Sequence, residues 1–293
     1  MGKNNSSKAS VKLIKEQFMA ITPKQRSWYD PLALECSKTW IDSGALSECF
    51  RYEIDGRQWV EKSLLESWKG KDHLIPWIRN EAKILAALSG YPQFVQFYGA
   101  YRPKAAWHPR LLILMMEYIA GKTLEAYRGD KTVALSVGYD SCKGLEVMES
   151  LDIVHQDLKP GNIIVTADNH GRIIDFGLAK CRGKDLAQAG DIFGTLSYMP
   201  PEQAKGESKT AKSDLFSLAL VLYETITGEQ AKRASSREAR RWNLKEVDYY
   251  KSQLIGKGMS EQFAVAWGVA VHPVQKERQL EPLKSELENL LKK

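Results

Sequence analysis

The sequence predicts an α+β chain in which strands come first and helices follow. Three observations carry this. Short β-branched and aromatic runs between residues 34 and 118 are separated by turn residues, with Asp55-Gly56 as a strong hairpin signal. Longer runs after residue 130 carry the helical period, and between the two lies a small-residue connector, Ile119-Ala120-Gly121. The chain has 293 residues, ample for a sizeable core.

In chain order, residues 1–27 read as a polar, flexible arm with one apolar cluster, Val11 to Ile21, as a short helix. Trp40-Ile41, Cys49 to Ile54 and Gln58 to Glu61 read as three short strands. Leu74 to Leu88 has helical spacing, with Ile78, Ala82, Leu85 and Ala86 on one face. Phe94 to Tyr101 and Leu111 to Tyr118 supply two more strands. Past the connector, Lys131 to Leu151 is a helix with Val133, Val137, Leu145 and Met148 inward. Asn162 to Val165 and Arg172 to Ile174 form a hairpin over the polar turn at 168–171. Ser213 to Thr227 is a helix apolar nearly all round, hence buried.

Composition sets the class. Hydrophobic residues make up 43% and charged residues 27%, ordinary for a globular protein. The net charge of +6 is mild and suits an anionic ligand no better than a solvated surface. Four scattered cysteines, Cys36, Cys49, Cys142 and Cys181, show neither metal-ligand spacing nor a disulfide framework, so a reducing compartment is expected. The longest apolar run, Leu111 to Met116, is too short to span a bilayer, and no signal-peptide pattern opens the chain. The expectation is a soluble, cytoplasmic protein. Gly2 with Ser6 fits a loose myristoylation pattern, which would be the one route to a membrane.

The chemistry concentrates in His155-Gln156-Asp157-Leu158-Lys159-Pro160-Gly161-Asn162 and, thirteen positions on, Asp175-Phe176-Gly177. A carboxylate, an ammonium, an amide and a second carboxylate stand at the spacing that phosphoryl transfer from ATP requires. Asp157 can accept or orient a hydroxyl proton, and Lys159 can meet the transferring phosphoryl. Asn162 and Asp175 offer hard oxygen ligands for Mg²⁺, with Mn²⁺ as an alternative. Gly177 permits backbone geometry that a side chain would hinder.

These strings resemble the catalytic loop and magnesium motif of eukaryotic-type serine/threonine protein kinases, in a variant with Gln156 where the family has Arg. The resemblance implies a bilobal protein-kinase-like fold: a five-stranded antiparallel N-lobe (about 34–118), a hinge (about 119–121) and a mostly helical C-lobe (about 122–293), together a kinase domain over 28–293, with ATP in the cleft. It implies that Lys62 reaches the α- and β-phosphates with Glu81 as its partner. It makes Met116 the gatekeeper and the backbone of Glu117 and Ile119 the reader of the adenine edge. The phosphate-covering loop keeps only its middle glycine, Gly44, with Asp42 and Ser47 in place of the outer two. Gly194-Thr195 and Pro201-Glu202 resemble the end of an activation segment. Thr195 would bond near Asp157 and Lys159, the serine/threonine arrangement. Glu202 would pair with Lys276 or Arg278, and Asp214 would tie down the catalytic-loop backbone.

Gln156 cannot pair with a phosphate, and residues 178–194 contain no Ser, Thr or Tyr. The expectation is a kinase active without activation-loop phosphorylation, its segment held by contacts of Lys180, Arg182, Lys184, Asp185 and Asp191. It would use Mg-ATP and a protein substrate, under control by expression, delivery into a host cell or a partner. Rival readings are a pseudokinase scaffold, suggested by the eroded glycine loop, and a kinase of a small molecule. A nucleic-acid binder would rest on the basic stretch Arg233 to Arg241 alone, which lacks an aromatic platform.

Overall fold

The structure, a computed structural model, describes residues 37–43, 47–54, 56–65, 67, 71–102, 111–181, 194–231 and 235–293. The N-terminal arm, Gly2, Gly44 and the segment from Arg182 to Asp191 lie outside the described residues. The fold is α+β, and its described residues divide into two units: 37–91 with 95–119, and 92–94 with 120–293.

The first unit is an antiparallel sheet and one long helix. Strands β1 (Ser37–Ser43), β2 (Ser47–Ile54), β3 (Arg57–Leu64), β4 (Phe97–Tyr101) and β5 (Ile113–Glu117) lie in the order β1-β2-β3-β5-β4. Ile54 pairs with Arg57 across the hairpin, and Gly56 takes φ +75°, the left-handed geometry that an Asp-Gly turn supplies. Strand β3 runs further than its apolar pattern indicates, so Lys62 sits within the ladder, opposite Cys49 and Leu114. Helix α1 (Ile75–Leu88) follows a 3₁₀ turn, Asp72–Leu74, and buries Ile78, Ala82, Leu85 and Ala86 as its period requires.

The expected strand from Phe94 begins only at Phe97. Phe94 belongs to the second unit, where it bridges Ile173 in parallel and meets Phe176 edge-on at 5.9 Å. The Arg172 guanidinium donates twice to the Phe94 carbonyl, at 2.7 and 3.1 Å. A buried aromatic with its backbone satisfied elsewhere outweighs the strand pattern around it.

The second unit is mostly helical. Short β6 (Gly121–Thr123) pairs with β8 (Ile163–Thr166), which pairs with β9 (Gly171–Ile173); β7 (Ile153–Val154) pairs with β10 (Lys180–Cys181). Helix α2 (Lys131–Ser150) opens on Asp130, whose carboxylate accepts from Val133 N–H at 3.0 Å, and buries Val133, Val137, Leu145 and Met148. After the single turn α3 (Pro201–Ala204), helix α4 (Ala211–Thr227) runs from a Thr210/Ser213 capping box to Gly228 at φ +79°. Every residue of α4 from Ser213 to Thr227 is buried. Gly138 makes its approach to α2 possible: a Cβ there would lie 2.8 Å from the Leu222 side chain. Helices α5 (Ser236–Arg240), α6 (Leu244–Gly256), α7 (Glu261–Ala270) and α8 (Glu281–Leu291) complete the unit. The buried Trp267 indole donates to the Ala219 carbonyl at 2.6 Å, which ties α7 to α4. No helix among the described residues is long and apolar enough to cross a membrane.

One buried carboxyl in the first unit has a consequence for stability. Glu61 lies among Phe50, Trp59, Tyr101 and Met115, accepting from the Tyr101 hydroxyl at 3.1 Å and the Trp59 indole at 3.4 Å. Burial pushes its pKa up to about 7 against the Tyr101 hydrogen bond. The folded chain therefore keeps a proton that the unfolded chain releases near pH 4.5, so this contribution to stability is present in acid and lost as pH rises to about 7. Glu61→Gln stays neutral throughout. Urea titrations should show it more stable than the parent by about 1–2 kcal/mol at pH 8. The two should converge in acid, and a pH-independent difference would refute the assignment.

Candidate active site

Within the first unit, Lys62 Nζ donates to Glu81 Oε1 at 2.7 Å. Both side chains are buried, at 5% and 3% exposure, so each charge needs the other. Strand β3 supplies the lysine and the inward face of α1 the glutamate. Direct antiparallel partners share a face, so Cys49 stands beside Lys62, a neighbour that spacing alone did not single out. Met116 is buried on β5 opposite Val60 and Phe97. Glu117 donates its N–H to the Gln96 carbonyl at 2.9 Å while its carboxylate accepts from Gln96 N–H, and Ile119 is buried. His73 is exposed and Arg79 half-buried.

In the second unit, β7 delivers the chain to the catalytic loop. His155 is fully buried, with Nε2 at 3.1 Å from the Ile174 carbonyl and its ring against Phe176. The Asp214 carboxylate, at the start of α4, accepts from His155 N–H at 2.7 Å and Gln156 N–H at 2.9 Å. Burial pushes the Asp214 pKa up to about 6, while His155 and the two amides work to lower it. Gln156 itself takes φ +68°.

Asp157 is the meeting point. Its Oδ1 accepts from Thr195 N–H at 2.8 Å and Thr195 Oγ1 at 2.9 Å. Its Oδ2 lies 3.1 Å from Lys159 Nζ and accepts from Asn162 Nδ2 at 3.3 Å. The 3₁₀ turn Pro160–Asn162 swings Asn162 back, so that Nδ2 also donates to the Asp157 carbonyl at 2.8 Å.

Pairing of Ile163 with Ile173, and of Ile174 N–H with the Asn162 carbonyl, sets Asn162 one position from Asp175 across the hairpin. Asp175 is exposed at φ +61°, its Oδ1 accepting from Gly177 N–H at 3.3 Å. These residues fit a magnesium ion. The amide nitrogen of Asn162 is spent on Asp157, which turns its oxygen into the available donor, and Asp175 adds a carboxylate. Among the described residues no cluster of three or more acidic, His or Cys side chains would hold a metal unaided. Two hard oxygens suit a cation whose remaining ligands are phosphate and water.

The activation-segment end is clamped from behind. Arg278, not Lys276, meets Glu202: Nη1–Oε1 is 2.7 Å and Nη2–Oε2 is 2.9 Å, with the arginine wholly buried. Ser213 and Gln275 also donate to Glu202, and the guanidinium lies 4.6 Å from the Phe216 ring centre. Lys276 is exposed and pairs with Glu277. Lys180 pairs with Val154 in β10. Gln156 Nε2 donates to the Leu178 carbonyl at 2.9 Å, and Gln203 Nε2 to the Gln156 carbonyl at 2.8 Å. Residue spacing had shown neither glutamine contact, since amide-to-carbonyl bonds leave no signature in a sequence.

An antiparallel sheet bearing a buried Lys–Glu pair, and a helical unit bearing this Asp-Lys-Asn-Asp set, are the marks of a phosphotransferase. The profile of the family described as protein kinase domain matches residues 38–292, and the chain belongs to that family. It is similar to serine/threonine-protein kinase PknB of Mycobacterium tuberculosis, 38% identical over 159 residues, covering 52% of this chain and 25% of the relative. PknB of Mycobacterium leprae is 36% identical over 158 residues, with coverage of 52% and 25%. PknA of Corynebacterium glutamicum is 31% identical over 183 residues, with coverage of 60% and 39%. The aligned part thus spans a quarter to two fifths of these relatives.

Removing the arginine of a buried, bidentate pair leaves a desolvated carboxylate without its counter-charge. Arg278→Ala should destabilise the chain by about 3–5 kcal/mol, read by chemical denaturation, whereas Lys276→Ala should change it by less than about 0.5 kcal/mol.

Proposed function

We propose that this chain is a serine/threonine protein kinase that transfers the γ-phosphoryl group of ATP to protein hydroxyls, with no need of a phosphate on its activation segment. The observation that carries this is the state of Asp157, whose two carboxylate oxygens are each held, by Thr195 on one side and by Lys159 and Asn162 on the other. A carboxylate so fixed can orient an acceptor hydroxyl and take its proton as the bond to phosphorus forms. Lys159 stands where it can neutralise charge on the phosphoryl group in flight. Lys62, kept extended by Glu81, serves the α- and β-phosphates, and Met116, Glu117 and Ile119 serve the base. Asn162 and Asp175 would hold magnesium, whose charge would offset that of the phosphates.

Phosphorylation independence is supported at Gln156. Its side chain is neutral and already bonded to Leu178, and residues 178–194 offer no acceptor hydroxyl. A scaffold without activity would have no reason to keep the Lys62–Glu81 pair of the first unit and Asp157, Asn162 and Asp175 of the second. The contact of Thr195 with Asp157 favours a peptide acceptor over a small molecule. Four scattered cysteines with neither disulfide-framework nor metal-ligand spacing favour a reducing compartment.

The test is transfer of labelled phosphate from Mg-ATP to a generic basic protein, with identification of the labelled amino acid. Asp157→Ala should lose about 10²–10⁴-fold in rate, and label should appear on Ser and Thr. Wild type pretreated with phosphatase should keep its rate. Equal rates for wild type and Asp157→Ala would support the scaffold, and loss of activity after phosphatase would refute independence.

A further inference from the structure

Gln156 holds a backbone conformation that side-chain-bearing residues seldom adopt, φ +68°. Three of its groups are tied to three different segments. Its N–H donates to Asp214 at 2.9 Å, its carbonyl accepts from Gln203 Nε2 at 2.8 Å, and its own Nε2 donates to the Leu178 carbonyl at 2.9 Å. Gln203 is 2% exposed and directly follows Glu202, which Arg278 clamps. Gly194, at φ +110°, closes the group: a Cβ there would lie 2.8 Å from Gln203 Nε2, 2.9 Å from the Gln156 carbonyl and 3.5 Å from Asp157 Oδ1. Only a glycine leaves room for the amide to reach its acceptor.

The Gln156 carbonyl and the Asp157 N–H belong to one planar peptide. Gln203 fixes one end of that plane, and the contact of Asp157 N–H with His155 Nδ1 at 3.3 Å fixes the other. Rotation of the plane would carry the Asp157 side chain away from Thr195. The side chain of Gln156 meanwhile holds the first residue after Asp175-Phe176-Gly177.

We propose that Gln203 and Gln156 form a neutral amide latch that positions Asp157 for phosphoryl transfer, with Gln203 acting as a positioning residue through the Gln156 backbone. This rests on the kinase reading and adds to it the groups that keep the catalytic loop in place. An amide donating to a carbonyl needs no counter-charge, so the latch is set by folding and is indifferent to phosphatase.

Two variants of the full chain test it. Gln203→Leu keeps bulk and removes the donor, and Gln203→Glu keeps shape but offers a donor only when protonated. Gln203→Leu should lower kcat about ten- to a hundredfold. KM for ATP should stay within about twofold. Gln203→Glu should match Gln203→Leu near pH 8 and gain on it as pH falls toward about 5.5, because burial at this position raises the carboxyl's pKa and the protonated acid can donate to the Gln156 carbonyl. Hydrogen exchange at amides 156–158 and 195 should quicken in Gln203→Leu. A wild-type kcat in both variants, or a rate ratio between them that is flat with pH, would overturn the latch. Should Gln203→Leu not fold, the pH profile of Gln203→Glu decides alone. A wild type that transfers no phosphate would refute the enzyme reading only; unchanged exchange at 156–158 would refute the latch in that case too.

Discussion

A single buried carboxylate, Asp214, fixes the frame on which the site is built. It stands in the first turn of a helix whose residues from Ser213 to Thr227 are all buried, so it cannot move without moving the core. Its two oxygens take the N–H groups of consecutive residues, His155 and Gln156. Two such bonds on adjacent amides set both the position and the orientation of a loop, which one bond could not do. The cost is visible in a pKa pushed up to about 6. A carboxylate in that surrounding is tolerated because the two amides offset its lost hydration.

The same exchange of hydration for geometry recurs wherever the second unit must hold an irregular segment still. Glu202 is gripped by Arg278 from 76 residues away in sequence, which pins the end of the activation segment against α4. Glu224, fully buried on the same helix, takes the hydroxyl of Tyr198 and the guanidinium of Arg128 at 2.5 Å. In the first unit, Lys62 and Glu81 form the corresponding pair between strand and helix. Such pairs are poor sources of net stability, since desolvation offsets most of the attraction. What they confer is uniqueness: any shift that parts the charges leaves one of them bare.

Much of this was legible in the sequence, and the reason is chemical. Phosphoryl transfer leaves few substitutes for hard oxygens and an ammonium, so Asp157, Lys159, Asn162 and Asp175 stand out as candidates by type and spacing, and the structure brings Lys159 and Asn162 onto the Asp157 carboxylate. Helices α2 and α4 were legible because a long period of apolar residues has one reading. The strand reading at Phe94 fails because β-propensity cannot say which sheet a residue joins; Phe94 belongs with Phe176 and Ile173 in the second unit. The choice between Lys276 and Arg278 needed three dimensions, since only a planar guanidinium meets both oxygens of Glu202. The part played by Gln156 and Gln203 was hidden because glutamine is common on surfaces and its amide bonds have no fixed spacing.

Gln156 separates two tasks that an arginine would perform together. A cation at that position would have to remain solvated or find an anion, and it would hold the activation segment only once that anion arrived. An amide is satisfied by a carbonyl already present in the chain, that of Leu178. The left-handed turn at Gln156 accompanies the capture of two consecutive N–H groups by Asp214. The strain of that turn is therefore carried by Asp214 and Gln203, leaving the side chain free to serve as a tether. The loop is thus braced at the N–H, the carbonyl and the side chain of one residue, by groups that the chain itself supplies. On the reading proposed above, in which the catalytic loop is set when the chain folds, control would act on access to the site or on the amount of protein.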